Sequence, residues 1–495
     1  MVGVIDVVFP LVSLIASSLL TIPVFKLIRK TQHTTALSIV WFAVVYGITF
    51  AAVGNLLLQY SSPDPLIITL ADTPLAMLSS TFLIDYISIY MAVIIVAVSA
   101  VVFLYGLFYI KSSERPSERY YAIMLMLTAA VMGTVFAGDL LTLFIFWEGA
   151  AAGSSFLMIY KKKAESLNAA LKYLVMIIVA SAFIVFGISL VYGLTGTLNF
   201  VAVKDALMVL PDKQMLILAF IFIATGYAIE AAIVPFHFWL PDAYAAAPAS
   251  SSSFLSALID QGSYYVLIRV LIFILTPTAV LDWRFMLAMM AAFTMIVGNL
   301  FALIQNDVKR LIGNICVADV GYNLVAITSV SALGLEGNLY FFLIGGITTA
   351  LAFMTVGIMN HHGFKSLEDL SGIGWKMPFA SIALLIAALS FAGVPPLGGF
   401  TAKYLVFTSA LESGMSWLAV IGVLASVLQT AYLFRMINYM YRKKPSDEKR
   451  IKEPKLLLIP VFILVVAIIV LGLYPEIVLH LISPATSQLP ISVVP

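Results

Sequence analysis

Charged residues and cysteine are both scarce in this chain of 495 residues. Charged side chains make up 11% of the sequence and hydrophobic ones 62%, whereas an ordinary soluble protein carries about 25% charged residues. This composition excludes a water-soluble globular protein. The single cysteine, Cys316, excludes an intramolecular disulfide. It also excludes an iron–sulfur cluster held by this chain, because such a cluster needs about four ligands, mostly cysteine.

Other familiar kinds of site are missing from the sequence as well. We find no phosphate-binding glycine loop, no paired metal-ligand spacing and no nucleophile triad. The net charge of +2, from 27 basic and 25 acidic residues, is too small for a nucleic-acid-binding surface. The sequence therefore predicts no cofactor in this chain and no nucleic-acid partner.

Long apolar runs fill most of the sequence and predict a polytopic membrane protein. A helix needs about 20 apolar residues to cross a bilayer, and about fourteen segments meet this condition. The runs lack the short alternation of barrel strands, so we interpret them as helices. The predicted spans are 6–28, 36–59, 82–109, 120–137, 139–159, 168–194, 214–235, 248–275, 285–305, 308–331, 338–360, 378–411 with a break, 415–440 and 455–475.

The basic residues indicate how the chain is oriented. Lys and Arg accumulate in cytoplasmic loops, and here most of them fall in alternate loops, including 26–30, 111–119, 161–163, 309–310, 365–376 and 442–455. The other set of loops holds Lys204, Lys213 and Arg284. This bias predicts that both termini lie outside the cytoplasm, in the cell membrane of a prokaryote. The basic runs themselves read as topology determinants and contacts with lipid head groups.

Two interrupted helices divide the chain. Pro235 and Pro241 break a helical pattern in the first half, and a Pro-Pro and Gly-Gly pair at 395–399 breaks one in the second half. Such breaks are tolerated at membrane depth where they line a protected cavity, and they recur at transporter ion sites. With a faint similarity between 168–187 and 338–357, they favour two repeats. We predict an N-terminal three-helix segment at 1–118, repeats at 119–275 and 285–440, and a basic loop, last helix and tail at 441–495.

Ionisable residues inside the spans are candidate functional residues. A charge at the bilayer centre costs roughly 3 kcal/mol on insertion scales, so such groups normally face a bundle interior or a hydrated cavity. A series of them suggests an ion path. The acidic members are Glu148, Glu230, Asp260 and Asp319, and the basic members are Lys172, Arg269, Lys403 and Arg435.

Five motifs carry a resemblance to a known family. They are GDLLTLFIFWEG (138–149), NAALKYLVM (168–176), VPFHFWLPDAYAAAP (234–248), NDVKRLIGN (306–314) and SFAGVPPLGGFTAKY (390–404). The chain resembles the antiporter-like subunits shared by respiratory complex I, the D subunit of Mrp-type Na⁺/H⁺ antiporters, and membrane-bound hydrogenase and sulfur-reductase complexes. The resemblance implies about fourteen helices with two inverted five-helix repeats. It also implies other integral membrane subunits as partners, which would carry any iron–sulfur clusters.

The family's pathway residues are partly present. Glu148 matches the glutamate of its fifth helix, Lys172 the lysine of the sixth, and Lys403 the lysine of the twelfth. At four places the chain departs from the family pattern. Glu230 stands at the seventh-helix lysine, Gln261 beside Asp260 at the eighth-helix lysine, Gly345 and Thr349 at the eleventh-helix His and Lys, and Asp319 at a tenth-helix His or Gln.

These departures change the expected chemistry. A glutamate beside a lysine holds the lysine protonated, whereas Glu148 here faces a second carboxylate, Glu230. Two acids in a low-dielectric site share a proton or hold a cation between them. Carboxylates and freed carbonyls suit Na⁺ as well as H⁺. We therefore expect a carboxylate-lined half-path at Glu148, Glu230 and Asp260, and a lysine gate at Lys403.

Structural roles remain open for most of these residues. Glu230 is either an ion site or the mark of a decayed channel, and Asp260 with Gln261 could join helices by hydrogen bonds. Lys172 and Asp319 could be paired within the bundle. His237, in the first break, either relays protons or makes a fixed hydrogen bond. Arg269 and Arg435 are expected to pair or snorkel at span ends.

Three functions remain. The first is an ion-translocating subunit for H⁺, Na⁺ or both, in a complex driven by redox chemistry or by an ion gradient. The second is a non-conducting scaffold of the same family, and the third is a stand-alone secondary transporter. The sequence leaves open whether the host complex is an oxidoreductase or an antiporter.

Overall fold

The computed structural model of the chain describes residues 3–30, 34–60, 64–71, 80–110, 117–161, 163–210, 214–274, 283–442 and 450–486. Helices account for almost all of these residues. In the first half of the chain the helices are α1 (Val4–Ile28), α2 (Thr34–Gln59), α3 (Tyr86–Tyr109), α4 (Ser117–Phe136), α5 (Leu140–Met158), α6 (Ala164–Thr195), α7 (Phe200–Met208), α8 (Gln214–Glu230) and α9 (Trp239–Ala246). In the second half they are α10 (Ala249–Phe254), α11 (Asp260–Leu267), α12 (Trp283–Ile304), α13 (Val308–Ser329), α14 (Ala332–Asn360), α15 (Ile373–Lys376), α16 (Pro378–Ala392), α17 (Gly398–Glu412), α18 (Ser416–Arg442), α19 (Lys455–Leu473) and α20 (Glu476–Thr486).

The predicted all-α polytopic membrane fold is confirmed. Within the ranges given above, twelve helices are long and apolar enough to cross a membrane, and the shorter α8 and α16 are also apolar. The figure of about fourteen spans, the inverted repeats and the predicted domain boundaries stay predictions.

A β-hairpin corrects one predicted span. We expected a helix from residue 82, but Ser80–Ile84 form strand β2, which pairs antiparallel with β1 (Leu66–Ala71). The helix starts later because the side chain of Asp85 accepts a hydrogen bond from the Ser88 backbone N–H at 2.8 Å, which caps α3. Asp139 then fixes the hairpin to the start of α5, since its carboxylate accepts hydrogen bonds from Thr81 N and Thr142 N.

The first interrupted helix ends five residues earlier than predicted. α8 stops at Glu230, and Ala232 has a left-handed backbone with φ of 53°. A short 3₁₀ turn (Phe236–Phe238) and α9 follow. The indole N–H of Trp239 donates to the carbonyl of Ile229 at 3.1 Å. The same carbonyl also accepts a hydrogen bond from the Ala232 backbone N–H at 3.2 Å, so a tightened last turn and the indole together close the end of α8.

The helix after this break is continuous but irregular. It runs from α10 through a π-helical turn (Leu255–Ile259), α11 and a second π-helical segment (Ile268–Ile274). π-Helical turns are frequently found at functional sites. Asp260 is the first residue after the first of these turns, so the irregularity sets the direction of its side chain.

The second interrupted helix breaks where the prolines and glycines predicted. α16 ends at Ala392, Gly393 has a φ of 73°, and α17 begins at Gly398. The ammonium group of Lys403 on α17 donates to the carbonyl of Phe391 at 2.7 Å. A cation at a helix C-terminus is favourable because the free carbonyls there carry partial negative charge. The break therefore places Lys403 at the end of α16.

Central and outer helices differ in burial. The most apolar windows of α13 and of Ala249–Ile272 are 100% buried and that of α14 is 94% buried, whereas those of α1, α2, α6 and α19 are 22–33% buried. The outer helices therefore present apolar side chains to lipid or to other proteins. The central three are enclosed by protein, which is where ionisable groups are least costly.

Candidate functional site

Two acidic side chains face each other where α5 passes the end of α8. Glu230 is 5% exposed, and one of its oxygens accepts a hydrogen bond from the indole N–H of Trp147. Its carboxyl group lies against that of Glu148, which is partly buried and also near Ser181. No ion pair joins either acid to a basic residue among the described residues. The predicted juxtaposition of Glu148 and Glu230 is thus present in the structure.

Asp260 lies further along the bundle and has its own donor. Its side chain is 6% exposed and accepts a hydrogen bond from the hydroxyl of Tyr244 on α9. Gln261 next to it donates weakly to the Ser256 carbonyl at 3.5 Å, while its side-chain oxygen has no hydrogen-bond partner. Tyr244 lies on α9, the helix that follows the first break. The break therefore positions the hydroxyl group that binds Asp260.

Lys403 and Asp319 form the far end of the series. The Lys403 ammonium donates to Gln429 Oε1 at 2.6 Å and to Ser426 Oγ at 3.2 Å, and it lies 4.5 Å from the centre of the Tyr322 ring. Asp319 is 4% exposed and close enough to Lys403 for their charges to interact. Both line a small cavity of about 20 Å³, which is enough for about one water molecule.

Buried polar side chains lie near these three groups. Tyr173 is near enough to Glu148, Glu230 and Asp260 to interact with their charges. Tyr264 and Cys316 are near enough to Asp260 and Asp319 to interact with the charges of both. We call the series formed by Glu148, Glu230, Asp260, Asp319 and Lys403 the central row. It extends across the bundle through its most buried helices, from one interrupted helix to the other.

Gly345 and Thr349, where the resemblance implied a His and a Lys, are small residues of α14. A Cβ added to Gly345 would lie 3.6 Å from Gln261 Nε2, and one added to Gly346 would lie 3.3 Å from Gln261 Cγ. The side chain of Gln261 therefore occupies space beside α14 that a larger residue at 345 would share. Thr349 donates to the Gly346 carbonyl at 3.0 Å and stays within its own helix.

The structure does not place Lys172 and His237 in the central row. The side chain of Lys172 is 64% exposed and pairs with Asp242 at 3.0 Å. It points away from the bundle, on a helix that is apolar on all sides. His237 is 2% exposed and lies beside the aromatic rings of Phe238 and Phe301. Their predicted part in an ion pathway stays a prediction that this geometry does not favour.

Several partners of the central row escaped the sequence analysis. Trp147, Tyr244 and Gln429 make hydrogen bonds with the central row. The sequence contains a local signal for Trp147 alone, because this residue directly precedes Glu148. Lys309, which we counted as a loop residue, is 6% exposed and donates to the carbonyls of Ala245 and Ala247 at the end of α9. It is drawn inward because Pro248 ends that helix and leaves these carbonyls free.

A second buried charge pair lies outside the central row. Arg269 binds both oxygens of Asp85, at 2.6 and 2.9 Å, and its Nε donates to the Tyr265 hydroxyl. Arg435 donates to the Gln305 carbonyl at 2.8 Å. The expectation that both arginines would find partners agrees with this geometry. Buried ion pairs of this kind fix helices relative to one another.

The central row and its hydrogen-bond partners together contain acids, hydroxyls, an amide and an amine. Such groups can pass protons between them, and carboxylate oxygens with freed carbonyls can hold a hard cation. No group of three or more His, Cys, Asp or Glu that could hold a metal ion occurs in the part of the chain that the structure describes.

Comparison with known proteins identifies the family. A family model described as "NADH:quinone oxidoreductase/Mrp antiporter, TM" matches residues 137–429, which is more than half of the chain. The chain belongs to this family. The match begins just before α5 and ends at Gln429, so it includes every residue of the central row.

Relatives of this antiporter family align over most of the chain. F(420)H(2) dehydrogenase subunit N of Methanosarcina mazei is 31% identical over 410 residues, covering 80% of this chain and 83% of the relative. NADH-quinone oxidoreductase subunit N of Heliobacterium modesticaldum is 30% identical over 396 residues, covering 80% and 83%. A chain in the structure of an archaeal membrane-bound sulfane sulfur reductase is 27% identical, with a TM-score of 0.85 and 97% of each chain covered. The resemblance inferred from the motifs is confirmed.

Proposed function

We propose that the chain is an ion-translocating subunit of a multisubunit membrane complex of the complex I type, and that it moves H⁺, Na⁺ or both along the central row. The proposal is consistent with its family, whose relatives are named as subunits of F(420)H(2) and NADH-quinone oxidoreductases. In this proposal other integral membrane subunits are the partners and carry any redox centres. The chain lies in a prokaryotic cell membrane with both termini outside the cytoplasm.

The observation that carries the proposal is the position of the central row, inside the bundle between the two interrupted helices. Isolated buried charges can be explained by helix pairing, as with Arg269 and Asp85. Five ionisable groups between two interrupted helices are costly to insert, which favours a functional role. Trp147, Tyr244, Ser426 and Gln429, which hydrogen-bond to three of them, are neutral.

The deciding experiment compares Glu148→Gln and Lys403→Met with Glu118→Gln. Glu118 is the matched control because it is a buried carboxylate that pairs with Arg29 at 3.0 Å, away from the central row. In membrane vesicles that contain the assembled complex, we expect both central-row variants to lower ion uptake at least tenfold, with uptake in the control unchanged. The amount of assembled complex is measured alongside by native gel electrophoresis.

A scaffold role is the second candidate, because Glu148 faces an acid where the family has a lysine. Uptake that stays at the wild-type rate in both central-row variants, in complexes of normal amount, supports the scaffold and contradicts the proposal. A chain that transports ions after purification without partners would instead support a stand-alone transporter.

The choice between H⁺ and Na⁺ depends on Glu230. If this acid is present for Na⁺, Glu230→Lys restores the family's lysine and should abolish the dependence of ion uptake on Na⁺ concentration. If the dependence is the same in wild type and variant, the Glu148 and Glu230 pair does not select Na⁺, and H⁺ remains the proposed ion.

A further inference from the structure

A groove on the outer surface of the bundle contains Lys172 and His237, two of the three predicted pathway residues that the central row does not include. It has a volume of about 1020 Å³ and lies between α6, the first break and α9, and the adjoining ends of α12 and α13. Lys172, His237, Asp242 and Arg310 are the titratable residues that line it. We call it the α6–α9 groove.

The rim of this groove carries an excess positive charge. Asp242 holds Lys172 through one carboxylate oxygen at 3.0 Å and Arg310 through the other at 3.2 Å. The single carboxylate of Asp242 therefore pairs with both cations and neutralises one of the two positive charges. The side chains of Lys172 and Arg310 remain 64% and 51% exposed. Because an ammonium has three donors and a guanidinium five, each cation keeps N–H groups for another acceptor.

The groove lies at the depth of lipid head groups. α6 has 32 residues, a length of about 48 Å, and so extends beyond the roughly 30 Å hydrocarbon layer at its ends. Lys172 is about 12 Å from the start of α6. Arg310 is the third residue of α13, and Gln305 directly follows α12. The charged rim therefore faces the boundary between head groups and hydrocarbon.

The wall below the rim is apolar and exposed. Leu171, Val175 and Phe238 line the groove and are 51%, 59% and 67% exposed. The His237 ring lies against the Phe238 ring at a tilt of 34°, with 4.2 Å between the ring centres, and neither of its ring nitrogens has a hydrogen-bond partner. Burying an imidazole ring without a hydrogen-bond partner costs free energy. A polar ligand that displaces the exposed Phe238 ring would supply that hydrogen bond.

We infer that the α6–α9 groove binds an anionic phospholipid. Its phosphate lies between Lys172 and Arg310, one acyl chain lies along the exposed wall, and the glycerol ester region reaches His237. Basic pockets between transmembrane helices bind such head groups. A second protein is a poorer occupant, because Lys and Asp, which both line the groove, are depleted at protein interfaces. The inference does not depend on ion movement along the central row.

The test measures which lipid the protein retains. The assembled complex is placed in nanodiscs of phosphatidylglycerol and phosphatidylcholine in equal amounts, then released and weighed by native mass spectrometry. We expect retained phosphatidylglycerol to exceed phosphatidylcholine. Lys172→Gln with Arg310→Gln should lower this preference about 25-fold, or about fivefold for each basic residue removed. The matched control, Lys365→Gln with Lys376→Gln, changes two basic residues outside the groove and should keep the preference.

Asp242→Asn gives a result of opposite sign. It removes the anion that competes for both cations, so we expect retention of phosphatidylglycerol to rise about fivefold. A purely structural role for the three charges would lower retention in this variant as well. A lower preference in Asp242→Asn, or an unchanged one in the double variant, overturns the inference. A disulfide or chemical cross-link from Phe238→Cys to another polypeptide in the complex would also overturn it.

Discussion

At the scale of single residues, the two ends of the central row are held in different ways. Lys403 is surrounded by three oxygen acceptors, from Phe391, Ser426 and Gln429. Glu230 accepts a hydrogen bond from the Trp147 indole and has a second acid beside it. The three oxygens hold the Lys403 ammonium group in one position. Two adjacent carboxylates need a proton or a bound cation between them, so in the proposed function Glu148 and Glu230 form an exchange site for the ion.

Replacing Trp147 tests this difference. Trp147→Phe keeps an aromatic ring but removes the N–H donor, and the loss of a hydrogen bond to a charged group costs about 1.5–3 kcal/mol. We expect ion uptake in vesicles to fall about tenfold while the complex still assembles. Trp417→Phe is the control, because Trp417 is 37% exposed on the outside of the bundle. Equal uptake in both variants would show that the Trp147 hydrogen bond does not set the state of Glu230.

The acids and the lysine of the central row could be predicted because charge is rare in this sequence. Its neutral partners could not, since Tyr244 is one of 22 tyrosines, Gln429 carries no charge, and their contacts come from distant segments. Lys172 shows another limit. α6 is apolar on every side, so its sequence gives no indication of which face turns toward lipid.

At the scale of helices, proline and glycine predicted both breaks, but the exact ends needed the structure. The apolar sequence Ala231–Val234 continues the pattern of α8, so the sequence alone does not show that the helix stops at Glu230. The strand β2 was missed for the same reason, because Thr81–Ile84 are apolar or β-branched and fit either a span or a strand. The signal for the helix start was Asp85, a favourable N-cap residue.

Gly472 tests how the second break is held in place. This residue of α19 crosses the break, and a Cβ added to it would overlap the carbonyl oxygen of Pro396 and the backbone of Leu397 and Gly398. Overpacking of this kind typically costs 1–3 kcal/mol. We therefore expect Gly472→Ala to lower the unfolding temperature and, by moving the start of α17, to reduce ion uptake.

The control for this substitution is Gly54→Ala in α2, where an added Cβ meets no atom within 4 Å. Alanine has a higher helix propensity than glycine by about 1 kcal/mol, so the unfolding temperature should stay the same or rise. If the two variants unfold at the same temperature in detergent, the close contact between α19 and the break is not a source of stability.

At the scale of the whole molecule, the structure groups the loops as the charge pattern does. Arg29 pairs with Glu118, the Val308 N–H donates to the Lys365 carbonyl, and the Ile451 N–H donates to the Lys376 carbonyl. These basic loops therefore lie at one end of the bundle. At the other end, Gly138 and Asn199 meet the hairpin through Thr81. The sequence could predict which loops share an end, but contacts within one chain do not depend on which end faces the cytoplasm.

Cysteine labelling tests this orientation. In a Cys316→Ala background we compare Val209→Cys, a site that is 81% exposed after α7, with Lys365→Cys, an exposed site at the basic end. Because basic loops stay in the cytoplasm, a membrane-impermeant maleimide should label position 209 in intact cells. The same reagent should label position 365 only in inverted vesicles. The reverse pattern would place both termini inside, and the face of the membrane to which the α6–α9 groove belongs would change with them.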